Sequence, residues 1–138
     1  MILKHWNRRG VAAIEFALVL PVLVLLFLGI IEFSVALYDK TVITNASREG
    51  VRAGIVFRNP PMTDGEIASV VTNYCQNRMI TFGSATQVTT SVVREGLSSG
   101  DDLTVRVQYQ YQFLAIPKFL VGLAGDIKLG AQTVMRME

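Results

Sequence analysis

Residues Arg8 to Ile31 read RRGVAAIEFALVLPVLVLLFLGII and set the fold of the N-terminal part of the chain. After Glu15 this stretch carries no charge, and it is long enough to cross a bilayer, which takes about 20 apolar residues in a helix. A carboxylate inside such a segment costs roughly 2.5 to 3.5 kcal/mol on insertion scales, so Glu15 should have a partner or a task. Cleavage after Gly10 would supply the partner, because it frees a positively charged amine on Val11.

This order of a short basic leader, a glycine and a glutamate resembles the type IV prepilin signature, in which a dedicated peptidase cuts after the glycine. In that signature the glutamate is the fifth residue of the mature chain, as Glu15 is when counted from Val11. Within that group the chain resembles the TadE-like minor pilins of tight-adherence (Flp) pilus systems, and Leu20-Pro21 adds to the likeness. The string TNASREGVRA, residues 44–53, looks like the family's second motif, which usually has alanine in place of Ser47. Its motif residues are Asn45, Arg48, Glu49, Gly50 and Arg52.

The resemblance implies a processing site and a set of partners. The residues of the processing site would be Gly10, Val11, Glu15 and Phe16. The peptidase would cut after Gly10 and release a mature chain that begins at Val11. In assembly, Glu15 would pair with the Val11 amine of an adjacent subunit. For Pro21 two interpretations are open: local melting there lets subunits repack as they leave the lipid, or a transmembrane helix merely tolerates the proline.

The implied partners are the prepilin peptidase, another minor pilin, the major Flp pilin and the inner-membrane assembly platform. The residues themselves indicate no cofactor and no metal site, and a calcium ion at Asp101 and Asp102 is disfavoured because no spaced third ligand follows.

Three interpretations of the N-terminal segment are open. A signal peptidase would cut after Ser34-Val35-Ala36, which has the small residues it needs, although the helical pattern runs through that site. The second is an uncleaved anchor, and the third, which we favour, is prepilin processing. The basic leader should stay cytoplasmic, with a single pass through the bacterial inner membrane and the remainder periplasmic or on the cell surface within a pilus. The predicted domains are a leader (1–10), a transmembrane and assembly half of the helix (11–38) and an extracytoplasmic head (39–138).

Charge and composition exclude several classes of function. Three of the 13 lysine and arginine residues lie in the leader, which leaves ten against eleven acidic residues and no basic stripe for nucleic acid. The only histidine, His5, also lies in the leader, so the mature chain has none for acid–base or metal chemistry. The only cysteine, Cys75, falls on the apolar face of a predicted helix and indicates a buried structural thiol. We therefore expect that this protein is not an enzyme but the substrate of one.

The helical pattern does not end at the membrane, because no proline interrupts the chain between Phe33 and Phe57. Apolar and small residues recur there at helical spacing, which predicts one helix from Val11 to about Phe57, on the order of 70 Å long. Asn59-Pro60-Pro61 ends it, since a residue before proline avoids the helical region. Pro21 is expected to kink the helix, although transmembrane helices often tolerate proline.

A strip of small residues, Ala46, Gly50 and Gly54, lets another backbone approach this helix closely. We expect the head's own sheet to lie on the strip, with Phe57 on the same face. The alternative is that a partner subunit lies there.

The remaining residues predict a small α+β head. Thr63 and Glu66 have the spacing of a capping box, and an amphipathic helix follows to about Met79. Residues 113–124 are apolar apart from Lys118 and too few to span a bilayer, and predict a connector that covers the core, with a membrane-surface or subunit contact as the alternative. The predicted strands cover 87–95, 103–113 and 127–137, the second with strict alternation of apolar and polar residues. The fold class is therefore a long N-terminal transmembrane helix that continues into a pilin-like head with one further helix and a three-stranded antiparallel sheet.

These features predict a minor pilin or pseudopilin that is incorporated into a Flp-type pilus or primes or tips it. The alternative is a signal-anchored periplasmic accessory or binding domain that does not polymerise and uses the helix only as a tether. A tether needs neither Glu15 nor a helix that continues past Leu37, so both features favour the pilin.

Overall fold

The computed structural model describes residues 8–81, 87–113, 122, 125 and 127–137. The predicted fold class is confirmed in this part of the chain, which forms an α+β head on a long N-terminal helix. Residues 1–7 of the predicted leader and most of the predicted 113–124 connector lie outside the described residues. The elements are α1 (Arg8–Ile55), α2 (Asp64–Gln76), β1 (Val88–Arg94), β2 (Asp102–Tyr111) and β3 (Ile127–Arg136).

The sheet has β2 at its centre, paired antiparallel with β1 on one side and with β3 on the other. Successive side chains of a strand point to opposite faces, so the alternation in β2 gives the sheet one apolar and one polar face. The buried side chains of β2 are Leu103, Val105, Val107, Tyr109 and Tyr111. The polar face is exposed and carries Arg106, Gln108 and Gln110.

Both helices pack on the apolar face of the sheet. Helix α1 lies over β2 and β3, and α2 lies beside α1 and over β1. The core lies between these two layers and draws on every element, with Ile43 and Val51 from α1, Ile67 and Val71 from α2, and the buried side chains of β2. Cys75 of α2 is fully buried in it, and burial raises the pKa of its thiol to about 11. The predicted structural thiol is confirmed.

The start of α2 is held by the predicted capping box. The Thr63 hydroxyl accepts a hydrogen bond from the backbone N–H of Glu66 at 3.3 Å, and Glu66 Oε2 accepts one from the backbone N–H of Thr63 at 2.7 Å. The helix ends at Gln76, three residues before the predicted end at Met79. Asn77 takes the C-cap position, and its backbone N–H bonds back to the carbonyls of Asn73 and Cys75.

The end of α1 differs from the prediction in a way that matters for packing. The helix ends at Ile55, and the Phe57 side chain is 89% exposed, so its predicted place on the packing face is wrong. Gly54 is the last buried residue of α1, and Ile55, which packs partly buried against the core, is its last residue. Val56 and Phe57 beyond it are exposed, so no burial holds them in the helix. The prolines after Asn59 then favour extended backbone.

Candidate functional site on the N-terminal helix

The first part of α1, residues 11–31, is apolar around its whole circumference apart from Glu15 and is called the exposed half here. Its large side chains are exposed on every side, among them Ile14, Phe16, Leu18, Val22 and Phe27. The helix is long and apolar enough to cross a membrane, and none of its most apolar window is buried within the protein. An apolar surface of this extent is unfavourable in water, so lipid or neighbouring subunits must cover it. The helix thus indicates membrane anchoring.

The predicted processing residues lie in the first turns of α1. Gly10, Val11, Glu15 and Phe16 are all exposed, and a Cβ added to Gly10 would meet nothing within 4 Å. Glu15 forms no ion pair with any other residue that the structure describes. The helix continues through Pro21. The protein's own fold therefore supplies neither cover for these side chains nor a partner for Glu15 among the described residues.

The second part of α1, residues 32–55, is called the packed half, and the motif residues divide between its two faces. Gly50 is buried beneath the head, while Asn45 is half-buried at the edge of the contact. Arg48, Glu49 and Arg52 are exposed, and none of them forms an ion pair with another described residue. The structure explains the glycine of the motif by packing and leaves its charged side chains facing outward.

The strip of small residues contacts the protein's own head, as predicted. A Cβ added to Gly50 would lie 2.6 Å from Val71 Cγ2 and 3.5 Å from Val105 Cγ1. A Cβ on Gly54 would lie 2.6 Å from both Ile67 Cδ1 and Leu103 Cδ2. Ile67 and Val71 belong to α2, so this helix shares the strip with the sheet, a contact that periodicity alone did not reveal.

Ser47, where the family motif usually has alanine, is fully buried. Its hydroxyl lies 2.8 Å from the Thr44 carbonyl and 2.7 Å from the Thr133 hydroxyl. A buried hydroxyl is costly unless it is hydrogen-bonded. Thr133 on β3 therefore accounts for a serine at this position.

A buried polar contact joins the first residue of the packed half to the head, and sequence reasoning missed it. Glu32 is only 4% exposed, and the Tyr111 hydroxyl at the end of β2 donates to its Oε1 atom at 2.6 Å. The same hydroxyl lies 3.3 Å from the Glu32 carbonyl oxygen. The available signal was Glu32 itself, because a carboxylate at the end of a membrane-length apolar run needs shielding.

Two further polar residues fasten the next turns of the packed half. Asp39 is fully buried, and its Oδ1 accepts a hydrogen bond from the backbone N–H of Ile80 at 3.1 Å. Its Oδ2 has no hydrogen-bond partner among the described residues, so burial penalises the charged form. The Lys40 ammonium donates to the carbonyl of Gly130 on β3. Polar contacts therefore hold the head against α1 from the first buried turn of this helix onward.

Residues 10–52 match the family model described as TadE-like protein. The predicted resemblance is confirmed. The comparison with curated proteins and the comparison with solved structures gave no match. The TadE-like segment includes Gly10, Glu15 and most of the second motif, and it ends three residues before α1 does.

This match supports an association with the Tad pilus system, and the TadE-like family is one of pilus-associated proteins and not of enzymes. The TadE-like segment lies entirely within α1 and includes no residue of α2 or the sheet. Among the described residues, no group of three or more histidine, cysteine, aspartate or glutamate side chains has the geometry of a metal site.

Proposed function

We propose that the chain is a minor pilin or pseudopilin, cut by a prepilin peptidase after Gly10 and then incorporated into a Flp-type pilus or its priming or tip complex. The observation that carries the proposal is the exposed half of α1. It is apolar on every side, contains one carboxylate and continues without interruption into the core of the head. Such a helix can leave lipid only if other apolar helices take the place of the lipid.

The position of Glu15 supports assembly over simple anchoring. The carboxylate lies one turn after Val11 on an exposed apolar helix, with no ion-pair partner among the described residues. An unpaired charge in a low-dielectric environment is costly, and the Val11 amine of an adjacent subunit would neutralise it. A simple tether would have no use for this carboxylate.

The packing of α1 into the core of the head also supports the proposal. In a tethered domain the linker and the folded domain are separable, whereas here the packed half of α1 supplies Ile43, Ala46 and Val51 to the core. Force or displacement applied to the exposed half therefore passes directly to the head. The partners follow from this function: the prepilin peptidase, another minor pilin, the major Flp pilin and the inner-membrane assembly platform, with the head periplasmic.

Processing is the sharpest test of the proposal. In cells that contain the prepilin peptidase, Gly10→Val should leave a full-length precursor in the inner membrane, because a side chain at the cleavage site obstructs the peptidase. Gly29→Val is the matched control: this glycine also lies in α1 with nothing near its Cβ position, and the variant should be cut normally. Mass spectrometry of the N-terminus measures both.

Two results would overturn the proposal. One is a mature chain that begins at Val11 in the Gly10→Val variant. The other is a wild-type chain that begins at Leu37, which would mean that a signal peptidase had cut after Ala36.

A further inference from the structure

The exposure of α1 changes in two steps that match the layers of a bilayer. Residues 11–31 are apolar on all sides and span about 31 Å of helix, close to the roughly 30 Å hydrocarbon core. From Glu32 to Tyr38 the helix stays apolar only on the side away from the head, where Phe33, Leu37 and Tyr38 are exposed. Counting from Val11, these residues extend the length to about 42 Å, which matches a bilayer with its headgroup layers.

The chemistry of this second step suits a lipid headgroup layer. Tyrosine is enriched at membrane interfaces, where Tyr38 would lie. The exposed Ser34 hydroxyl donates to the Ile30 carbonyl at 2.8 Å, so it needs no water partner. Glu32 is turned away from lipid and bonded to Tyr111. The next charges, Asp39 and Lys40, are buried and half-buried, so Arg48 is the first exposed charge on α1 after Glu15.

The same contact places one end of the sheet at the membrane surface. Tyr111 bonds to Glu32 and pairs in register with Ile127, so the start of β3 lies level with the end of the exposed half. Ile127 is 37% exposed, and the next residue, Lys128, is exposed as well. A lysine here can lay its apolar stem on the interface while its ammonium reaches a lipid phosphate.

We propose that, before assembly, the head rests on the outer surface of the inner membrane. The contact is the proximal surface, defined by Phe33, Leu37, Tyr38, Ile127 and Lys128, and the Lys128 ammonium binds the phosphate of a lipid headgroup. The proposal rests on the membrane anchoring in the proposed function and adds a lipid-binding role for the head. It means that a subunit leaves two lipid contacts, one along the helix and one under the head, when it joins a filament.

The test measures how close the head lies to lipid headgroups in the full chain. The protein is placed in vesicles that contain anionic phospholipid and a lipid with a nitroxide on its headgroup. A fluorophore is attached to Gln110→Cys, the register partner of Lys128, or to the control Ser98→Cys at the opposite end of the sheet. Wild-type protein is the labelling control, because its only thiol, Cys75, is buried with a pKa raised to about 11.

The label at Gln110→Cys should be quenched at least threefold more than the label at Ser98→Cys. Adding Lys128→Gln should bring quenching at Gln110→Cys down by about half, whereas Arg136→Gln, an exposed cation at the distal end of β3, should leave it unchanged. Equal quenching at Gln110→Cys and Ser98→Cys overturns the proposal. An unchanged signal with Lys128→Gln overturns the phosphate contact.

A third label separates this proposal from the proposed function. Leu26→Cys lies in the exposed half and should be quenched by a nitroxide placed on the acyl chain. Quenching at Leu26→Cys without quenching at Gln110→Cys means that the helix is in the bilayer and the head stands away from it. Absence of quenching at Leu26→Cys means that the membrane anchoring itself is wrong.

Discussion

The exposed half and the packed half of α1 belong to one continuous helix but meet opposite environments. Each contains a glutamate and at least one glycine. In the exposed half Glu15 and Gly29 touch nothing in the head, whereas in the packed half Glu32 bonds to Tyr111 and Gly50 lies under Val71. Continuity of the helical backbone therefore does not determine what surrounds the side chains along it. The packed half is completed by its own chain, and the exposed half requires other molecules.

The largest expected effect of this difference is on assembly. Glu15→Ala should still be cut after Gly10 but should fail to join the pilus or its priming complex, because no carboxylate remains to pair with the Val11 amine of a neighbour. N-terminal mass spectrometry measures the cut, and recovery in the sheared pilus fraction measures assembly. Glu95→Ala, an exposed glutamate on the head, is the control and should assemble. Normal assembly of the Glu15→Ala variant would reduce Glu15 to an incidental polar residue.

Substitutions of the two glycines, Gly50 and Gly29, should differ clearly in their effect on stability. Gly50→Leu should destabilise the head by about 3 kcal/mol, because even a Cβ at this position comes within 2.6 Å of the stiff Val71 side chain. Gly29→Leu should leave the melting temperature unchanged, since nothing lies within 4 Å of its Cβ position. Both can be measured by thermal unfolding of the full chain in detergent. A Gly50→Leu variant that melts like wild type while losing its partner on co-purification would mean that the strip faces another subunit.

The hydrogen bond to Glu32 should have a smaller effect. Tyr111→Phe removes a 2.6 Å hydrogen bond to a buried carboxylate and should cost about 1.5 to 2 kcal/mol of unfolding free energy. Tyr109→Phe is the matched control, because Tyr109 is buried on the same face of β2 but makes no hydrogen bond through its hydroxyl to a described residue. Denaturant unfolding of the two variants compares them. Equal losses would show that the Glu32 contact contributes little beyond packing.

The smallest expected effect concerns how the two helices begin. The first turn of α1 has no acidic residue, whereas α2 begins with the capping box of Thr63 and Glu66. Hydrogen bonds from the Thr63 backbone N–H and hydroxyl, and then from Arg58, lower the pKa of Glu66. A carboxylate with a lowered pKa in the folded state stabilises the fold above its unfolded pKa, and this contribution is lost as pH falls through the folded pKa.

Glu66→Gln should therefore melt slightly below wild type at pH 7, with the difference shrinking as pH falls below about 4, near the ordinary glutamate pKa. Thermal unfolding between pH 3 and 7 checks this. A difference that stays constant across this range would mean that the charge of Glu66 does not contribute through the capping box.

Local patterns in the sequence predicted most of the elements, and the misses share one cause. The alternation of β2, the capping box of Thr63 and the apolar run after Glu15 each specify a structure within a few neighbouring residues, and each was confirmed. Phe57 was placed wrongly because its helical spacing matched the packing face, while the contacts of α1 with the core end at Ile55. Periodicity states which residues share a face and not how far the opposite surface extends.

Length, charge and periodicity are local properties, and they were enough to predict that a membrane-length helix leads into an α+β head and that Glu15 is the one charge in the helix's apolar run. Three contacts became visible only in the folded chain: Tyr111 covers Glu32, α2 shares the glycine strip with the sheet, and Thr133 meets Ser47. Each of these contacts joins residues far apart in the chain. These contacts depend on strand register and on which turn of α1 faces which row of side chains on the sheet. Neither can be predicted from one segment of sequence alone.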